Sequence, residues 1–453
     1  MADEKTRVEF LRTALWHGSL DEARSILAAH PELATSDIHT AAVVGDDTAV
    51  RRFIERDPSS VHATSEPYGG DPLVYLCLSK FLRLDPSRAD AFLRAAAALL
   101  DAGANPDSGF WTRGDHPEHE TALYGAAGVA HHAAMTKLLV ERGANPNDGE
   151  VAYHSPETRD NAALRILVET GRLTRESLRL MLVRKIDWHD YDGAKYLLEH
   201  GADANLKGKP GWTALHHALV RGNSLRIVRL LLDRGADPAI VEDGLTSAAR
   251  AAREGRNDVI DELRSRGFTI DLDGVDRLIA ACAMGDTAKA RAIAEREPGL
   301  LAELHAMGGG LLAKFSGTGN AAGVRALLDL GVDVRAPFEE GDGYYGVPKR
   351  SLAIHVAAWR GRPAVVKLLI ERGSPVDAPD ANGRTPLALA VRACVDSYWT
   401  EMRSPDSVDA LLKAGASVAG VPFPSGYAEV DDLLRQQRER RKRRERNSHE
   451  GTE

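Results

Sequence analysis

The chain has 453 residues, a formal net charge of −8 and three cysteines. The charge is modest for the length, so no general attraction to nucleic acid or to a membrane surface follows from it. Three cysteines make no disulfide framework, no apolar run reaches membrane-spanning length, and the opening MADEKTRVEF is too polar for a secretion signal, so a reducing, cytoplasmic setting is expected.

A segment of about thirty residues recurs along the chain, which predicts a stacked array rather than one closed core. The first copies turn at Gly18 and Gly45 and end in proline loops, AAHPEL (28–33) and ERDPSSV (55–61). Proline there stops a helix and is expected to shorten the loop. The copy after Pro72 has a stretched inter-helix segment over 80–91. Later copies end in LLDAGANPD (99–107), LLVERGANPND (138–148) and LLEHGADAN (197–205), with Arg159 and His189 at the turn of two degenerate units.

The best copy reads WTALHHALVRGNSLRIVRLLLDRGADP, 212–238. Its stretch 214–220 has small and apolar residues at helical spacing, and Gly222 ends it. In 225–232, Leu225, Val228, Leu231 and Leu232 form one apolar stripe with Arg226 and Arg229 outside. Gly235 suits a left-handed cap, and Asp237-Pro238 opens a loop. Each unit is therefore helix, tight turn, helix, loop, and only stacked neighbours can bury its stripe. Further turns fall at Gly255, Gly285, Gly319 and Gly361, and a third proline loop, EREPGLL, at 295–301. Gly308 to Gly310 reads as a relaxed loop, 337–350 as an enlarged finger, and 394–404 as an insertion between helices. A second strong copy covers 351–377, and LLKAGASV closes the last one at 411–418.

These residues resemble the ankyrin repeat. TALHHA (213–218) and TPLALA (385–390) match the start of that pattern, and GADPA, GANPN and GADAN match its end. The resemblance implies an all-α ankyrin-repeat solenoid, with about twelve units stacked over residues 1–425. Residues 426–453 are read as a short cap helix followed by a basic tail, a solvated, frayed helix end or a disordered segment, with eight of the twelve residues from 435 to 446 basic.

The resemblance also implies protein–protein recognition through a concave groove and finger loops, without catalysis, metal or cofactor, by a monomer. The tryptophans carry the positional signal. Trp16, Trp188 and Trp359 sit just before inter-helix turns, where the ankyrin pattern varies and faces the groove; Trp212 lies in a finger. Arg221 and Arg360 share the pre-turn positions, and Tyr344 and Tyr345 extend the surface onto the long finger. Trp, Tyr and Arg dominate binding hot spots, so these eight are the expected protein-binding residues, exposed and dispensable for stacking. In the TALHHA motif His216 is expected to be structural.

Two other readings stay open. The polar turn over 187–192, with Asp187, His189, Asp190 and Asp192, could bind a small ligand or act as acid and base, although Asp190 also reads as a simple helix cap. The basic run could make the chain a nucleic-acid or acidic-surface adaptor. No membrane partner is implied, and no phosphate-loop, nucleophile-elbow or zinc-protease motif occurs.

Overall fold

The computed structural model describes residues 3–208, 211–397 and 399–450, with side chains through 440. The chain is mostly helical and folds as two compact units, Met1–His217 with Leu230–Ala236, and Ala218–Arg229 with Asp237–Glu453. No described helix is long and apolar enough to cross a membrane.

In the first unit, helices alternate between two layers. The first helices Glu4–Ala14, Ile38–Val44, Pro72–Cys77, Ala122–Tyr124, Gly149–His154 and Arg175–Asp187 pack in series. The second helices Asp47–Arg56, Ala89–Asp101, Ala133–Glu141 and Ala162–Glu169 form the other layer. Side chains between the layers are apolar and fully buried, among them Phe10, Tyr75, Phe81 and Phe92. Caps define the pairs. Asp37 and Thr40 form a reciprocal capping box, and Gly45 ends that helix at φ 71°. His131 and His189 take the same left-handed turn without glycine, at φ 49° and 50°. Arg159 does not; an irregular stretch replaces the turn there.

The second unit repeats the scheme with the pairs Ser247–Arg253/Asn257–Ser265, Gly274–Ala283/Thr287–Arg296, Gly308–Thr318/Ala321–Asp329, Ala353–Trp359/Pro363–Glu371 and Pro386–Asp396/Asp406–Lys413. The helix Ala428–Glu450 packs on Asp406–Lys413 and buries Val430 and Leu434, as a cap should.

Two expectations are corrected. The proline loops are not shortened; each begins a new helical turn, Pro31–Thr35, Pro58–His62 and Pro298–Ala306. Proline at the first helical position is pre-set for helix, so the residue that stops one helix starts the next. The glycine run is not a loop but the first turn of Gly308–Thr318. Gly309 is needed for approach, because a Cβ there would lie 2.1 Å from the Pro337 carbonyl oxygen. The backbone of the basic run is helical up to Glu450. Its Arg, Lys, Gln and Glu residues are all good helix formers.

Two fingers carry structure of their own. Gly109–Trp111 pairs antiparallel with His119–Thr121. The long finger 337–350 closes through Phe338 N–H to the Ser351 carbonyl (2.8 Å) and a reciprocal Asp342–Val347 pair at 2.8 Å.

Candidate functional site

The expected binding residues fall into two groups. In the second unit, Arg221, Tyr344, Tyr345, Trp359 and Arg360 come together, but against one another. The long finger folds back onto the first-helix layer. The Tyr345 hydroxyl donates to the Arg221 carbonyl at 2.5 Å, and the Trp359 indole donates to the Tyr345 carbonyl at 2.8 Å. The Arg360 guanidinium lies 3.5 Å from the centre of the Tyr345 ring, and Arg221 4.2 Å from that of Tyr344. Trp399, from the inter-helix insertion, packs edge-on to Trp359 at 5.1 Å. Trp359 is left 8% exposed, and Tyr345 and Arg360 are buried with it. The expected exposure of these three is therefore wrong, because the enlarged finger covers the face.

Trp16 meets the same fate in the first unit. Tyr68 and Phe110, 5.0 and 5.6 Å from it, close over the ring, so it too is buried. Phe110 belongs to the short hairpin, whose outer residue Trp111 instead stands 64% exposed, stacked on His119.

Trp188 remains open. It is 40% exposed, as is Tyr153 on the preceding first helix. Between them Arg184 stacks on the Tyr153 ring at 4.0 Å and pairs with Glu157 and Asp187. Asp187 in turn holds the His217 imidazole at 2.7 Å, and the half-buried Trp212 ring lies 6.1 Å from His217. His154 joins the series on the other side, 2.8 Å from Glu157 and 3.4 Å from Glu150. The result is a continuous band of aromatic and charged side chains, Glu150–His154–Glu157–Arg184–Asp187–His217, flanked by Tyr153, Trp188 and Trp212.

The turn at 187–192 is not a pocket of free acids. Asp190 caps the helix Tyr191–Glu199 by accepting from the Gly193 N–H at 3.0 Å, as its sequence position suggests. Its other oxygen accepts from Lys185 at 2.9 Å and Asn161 at 3.0 Å. The Lys185 side chain is fully buried and also donates to the Thr158 carbonyl. Burial pushes the Lys185 ammonium below its ordinary range, against the pull of Asp190. Asp187 and Asp190 are thus committed to buried or half-buried cations, Arg184 and Lys185, while Asp192 is exposed. Nothing local in RESLRLMLVRKID marks Lys185 as the interior residue.

Glu120 was also illegible. It lies in the hairpin strand, 3% exposed, and its Oε2 has no hydrogen-bond partner. Burial, then repulsion from Glu150 and Glu118, pushes its carboxyl up to about 7, with His154 opposing and Asp148 adding. The folded chain therefore keeps a proton that the unfolded chain, near the ordinary 4.5, has released. Stability from this group is full below that lower value and declines as pH rises through about 7. Glu120→Gln is expected to raise the thermal midpoint at about pH 8 while barely changing it at about pH 5. An equal shift at both pH values would contradict a titrating Glu120.

Buried histidines elsewhere are structural. His39 and His355 meet the carbonyls of Ala63 and Ala378 in the following loops, at 2.9 and 2.8 Å, and His216 meets the Thr213 hydroxyl at 2.9 Å. Burial pushes the Cys282 thiol up to about 12, which leaves no thiolate at neutral pH.

With this geometry in place, the comparisons name the architecture. Models of ankyrin repeats match residues 180–276 (three copies) and 345–390 (many copies). The chain carries ankyrin repeats over these residues. Its curated relatives include inversin of Homo sapiens, 26% identical over 264 residues, covering 54% of this chain and 23% of that protein. Ankyrin repeat and SOCS box protein 16 of Homo sapiens is 28% identical over 212 residues, covering 46% and 39%. Putative E3 ubiquitin-protein ligase XBAT34 of Arabidopsis thaliana is 42% identical over 78 residues, covering 17% and 20%. The chain thus spans well under half the length of these relatives. The crystal structure of the human ASB11 ankyrin repeat domain aligns over 56% of this chain and 96% of its own, at 19% identity and a TM-score of 0.25.

Proposed function

We propose that the chain is a non-enzymatic scaffold that holds another protein on the first-helix face of its first unit. The observation that carries this reading is the exposure of Trp188, with Tyr153 and Trp111, beside a band of charged side chains. Large aromatics and arginine at the centre of a face are the residue types that supply most interface energy. Repeat architecture and the ankyrin relatives favour protein recognition over chemistry. Glu118, Glu150 and Glu157 border the aromatics, so the partner that fits is an extended segment with basic residues between apolar ones.

A photo-crosslinking amino acid placed at position 188, in the full chain, tests this. Adducts with a protein partner are expected from position 188 and none from position 195, where Lys195 is partly exposed on a second helix. Adducts from 195 alone would move the surface to the other layer.

A further inference from the structure

Four inter-helix turns of the second unit converge on one open cleft of about 230 Å³, lined by residues 222–225, 255–258, 318–320, Arg360 and Arg362. Three of its side chains are arginines and one is a carboxylate. Arg256 is fully engaged, giving Nη1 to the Asn223 carbonyl at 2.7 Å and Nε and Nη2 to Asp258 at 2.8 Å each. That pairing uses the only carboxylate in the lining.

Arg360 and Arg362 are left without a counter-charge. Among the described residues neither forms an ion pair, and Arg362 gives only its Nε, to the Gly317 carbonyl at 2.9 Å. Arg360 is 7% exposed and its Nε has no hydrogen-bond partner. Glycine turns make room for both. A Cβ on Gly222 would lie 3.5 Å from Arg360 Nη2, and one on Gly319 would lie 3.0 Å from Arg362 Cδ. The nine-residue helices Asn257–Ser265 and Pro363–Glu371 begin at the cleft, and neither N-cap side chain makes a capping bond. Their N-termini add partial positive charge to the same space. Burial, then the like charges of Arg360 and Arg256, pushes the Arg362 guanidinium down to about 10. Like charges gathered in a partly buried cleft are costly unless an anion joins them.

We propose that this cleft binds a small phosphate-class oxyanion, orthophosphate or diphosphate, with Arg360 and Arg362 as its cationic ligands. Guanidinium pairs suit tetrahedral oxyanions, which accept two parallel N–H bonds. At about 30 Å³ of liquid volume per water, the cleft of about 230 Å³ holds roughly seven waters, room enough for a diphosphate. The site is distinct from the protein-binding face and stands or falls without it.

The test is calorimetry and thermal unfolding of the full chain with sodium pyrophosphate and sodium orthophosphate, against sodium sulfate and sodium chloride at equal ionic strength. Saturable binding of one phosphate-class anion per chain is expected, with a rise in midpoint that chloride does not give. Arg362→Gln should weaken it by at least about tenfold, and Lys413→Gln, on an exposed surface, should leave it unchanged. Arg360→Gln should act like Arg362→Gln; if loss of its ring contacts unfolds that variant, Arg362→Gln decides. Orthophosphate binding alone would fix the ligand as a single phosphate; stronger pyrophosphate binding would fix it as a diphosphate. No saturable signal up to about 10 mM, binding equalled by sulfate, or full binding by a folded Arg362→Gln chain would each overturn the proposal.

Discussion

Trp359→Ala is expected to destabilise the second unit by about 3–5 kcal/mol, the usual scale for truncating a buried tryptophan. The ring fills the space between the finger and the first-helix layer. It donates to the Tyr345 carbonyl, meets Trp399 edge-on, and lies under Arg392 at 5.0 Å. Removal leaves a cavity and orphans that carbonyl at once. The long finger should then lose its hold, and Tyr345 with it. Hydrogen exchange resolved by peptide is the suitable readout, because a repeat array need not unfold in a single step. Faster exchange is expected in 337–350 and in the helices Ala353–Trp359 and Pro386–Asp396. Unchanged exchange in all three would show that the finger does not depend on the ring, and that Trp359 is a surface residue after all.

Asp190→Ala is expected to cost a similar amount, about 3–5 kcal/mol, because it strands a buried ammonium. A helix cap by itself is worth roughly 1 kcal/mol. Asp190→Asn separates the two effects. Asparagine can still cap Tyr191–Glu199, so what remains of the loss belongs to Lys185. Replacing that lysine as well, with Lys185→Met in the Asp190→Asn chain, should recover most of the stability, since an apolar side chain of similar length needs no counter-charge. Urea midpoints of the three variants check this. If Asp190→Asn behaves like wild type, the Lys185–Asp190 pair contributes nothing and the turn is only a cap.

The repeat was legible because its signals are local. Apolar spacing, a turn glycine and a closing Gly-Ala or Gly-Ser sit within the best copies, and the helices Ala214–Val220, Leu225–Asp233, Ala353–Trp359 and Pro363–Glu371 lie where the pattern puts them. The pre-turn tryptophans were read as exposed on the groove face, and Trp16 and Trp359 are instead buried. What covers that face was not legible. Tyr345 reaches Arg221 across 124 residues, and Phe110 reaches Trp16 from a hairpin whose landing point no periodicity marks. The same holds for Arg256, Arg360 and Arg362, which look like ordinary turn residues until stacking brings their turns together. Lys185 was hidden for another reason: its helix carries charge on every side, so no polar face stands out.

Two tryptophans beside inter-helix turns, Trp188 one residue before its turn and Trp359 two before, therefore have opposite expected roles, and this contrast is the core of the functional reading. Trp359 is covered by its own chain, whereas Trp188 stands open beside Arg184 and Tyr153. The direct measurement is the affinity of a captured protein partner for the wild-type and Trp188→Ala chains, with unfolding midpoints taken in parallel. Loss of roughly 2 kcal/mol or more, about 30-fold in affinity, is predicted for Trp188→Ala, with the midpoint almost unchanged. Unaltered affinity in a folded Trp188→Ala chain would contradict it and remove the first-unit face as the binding surface.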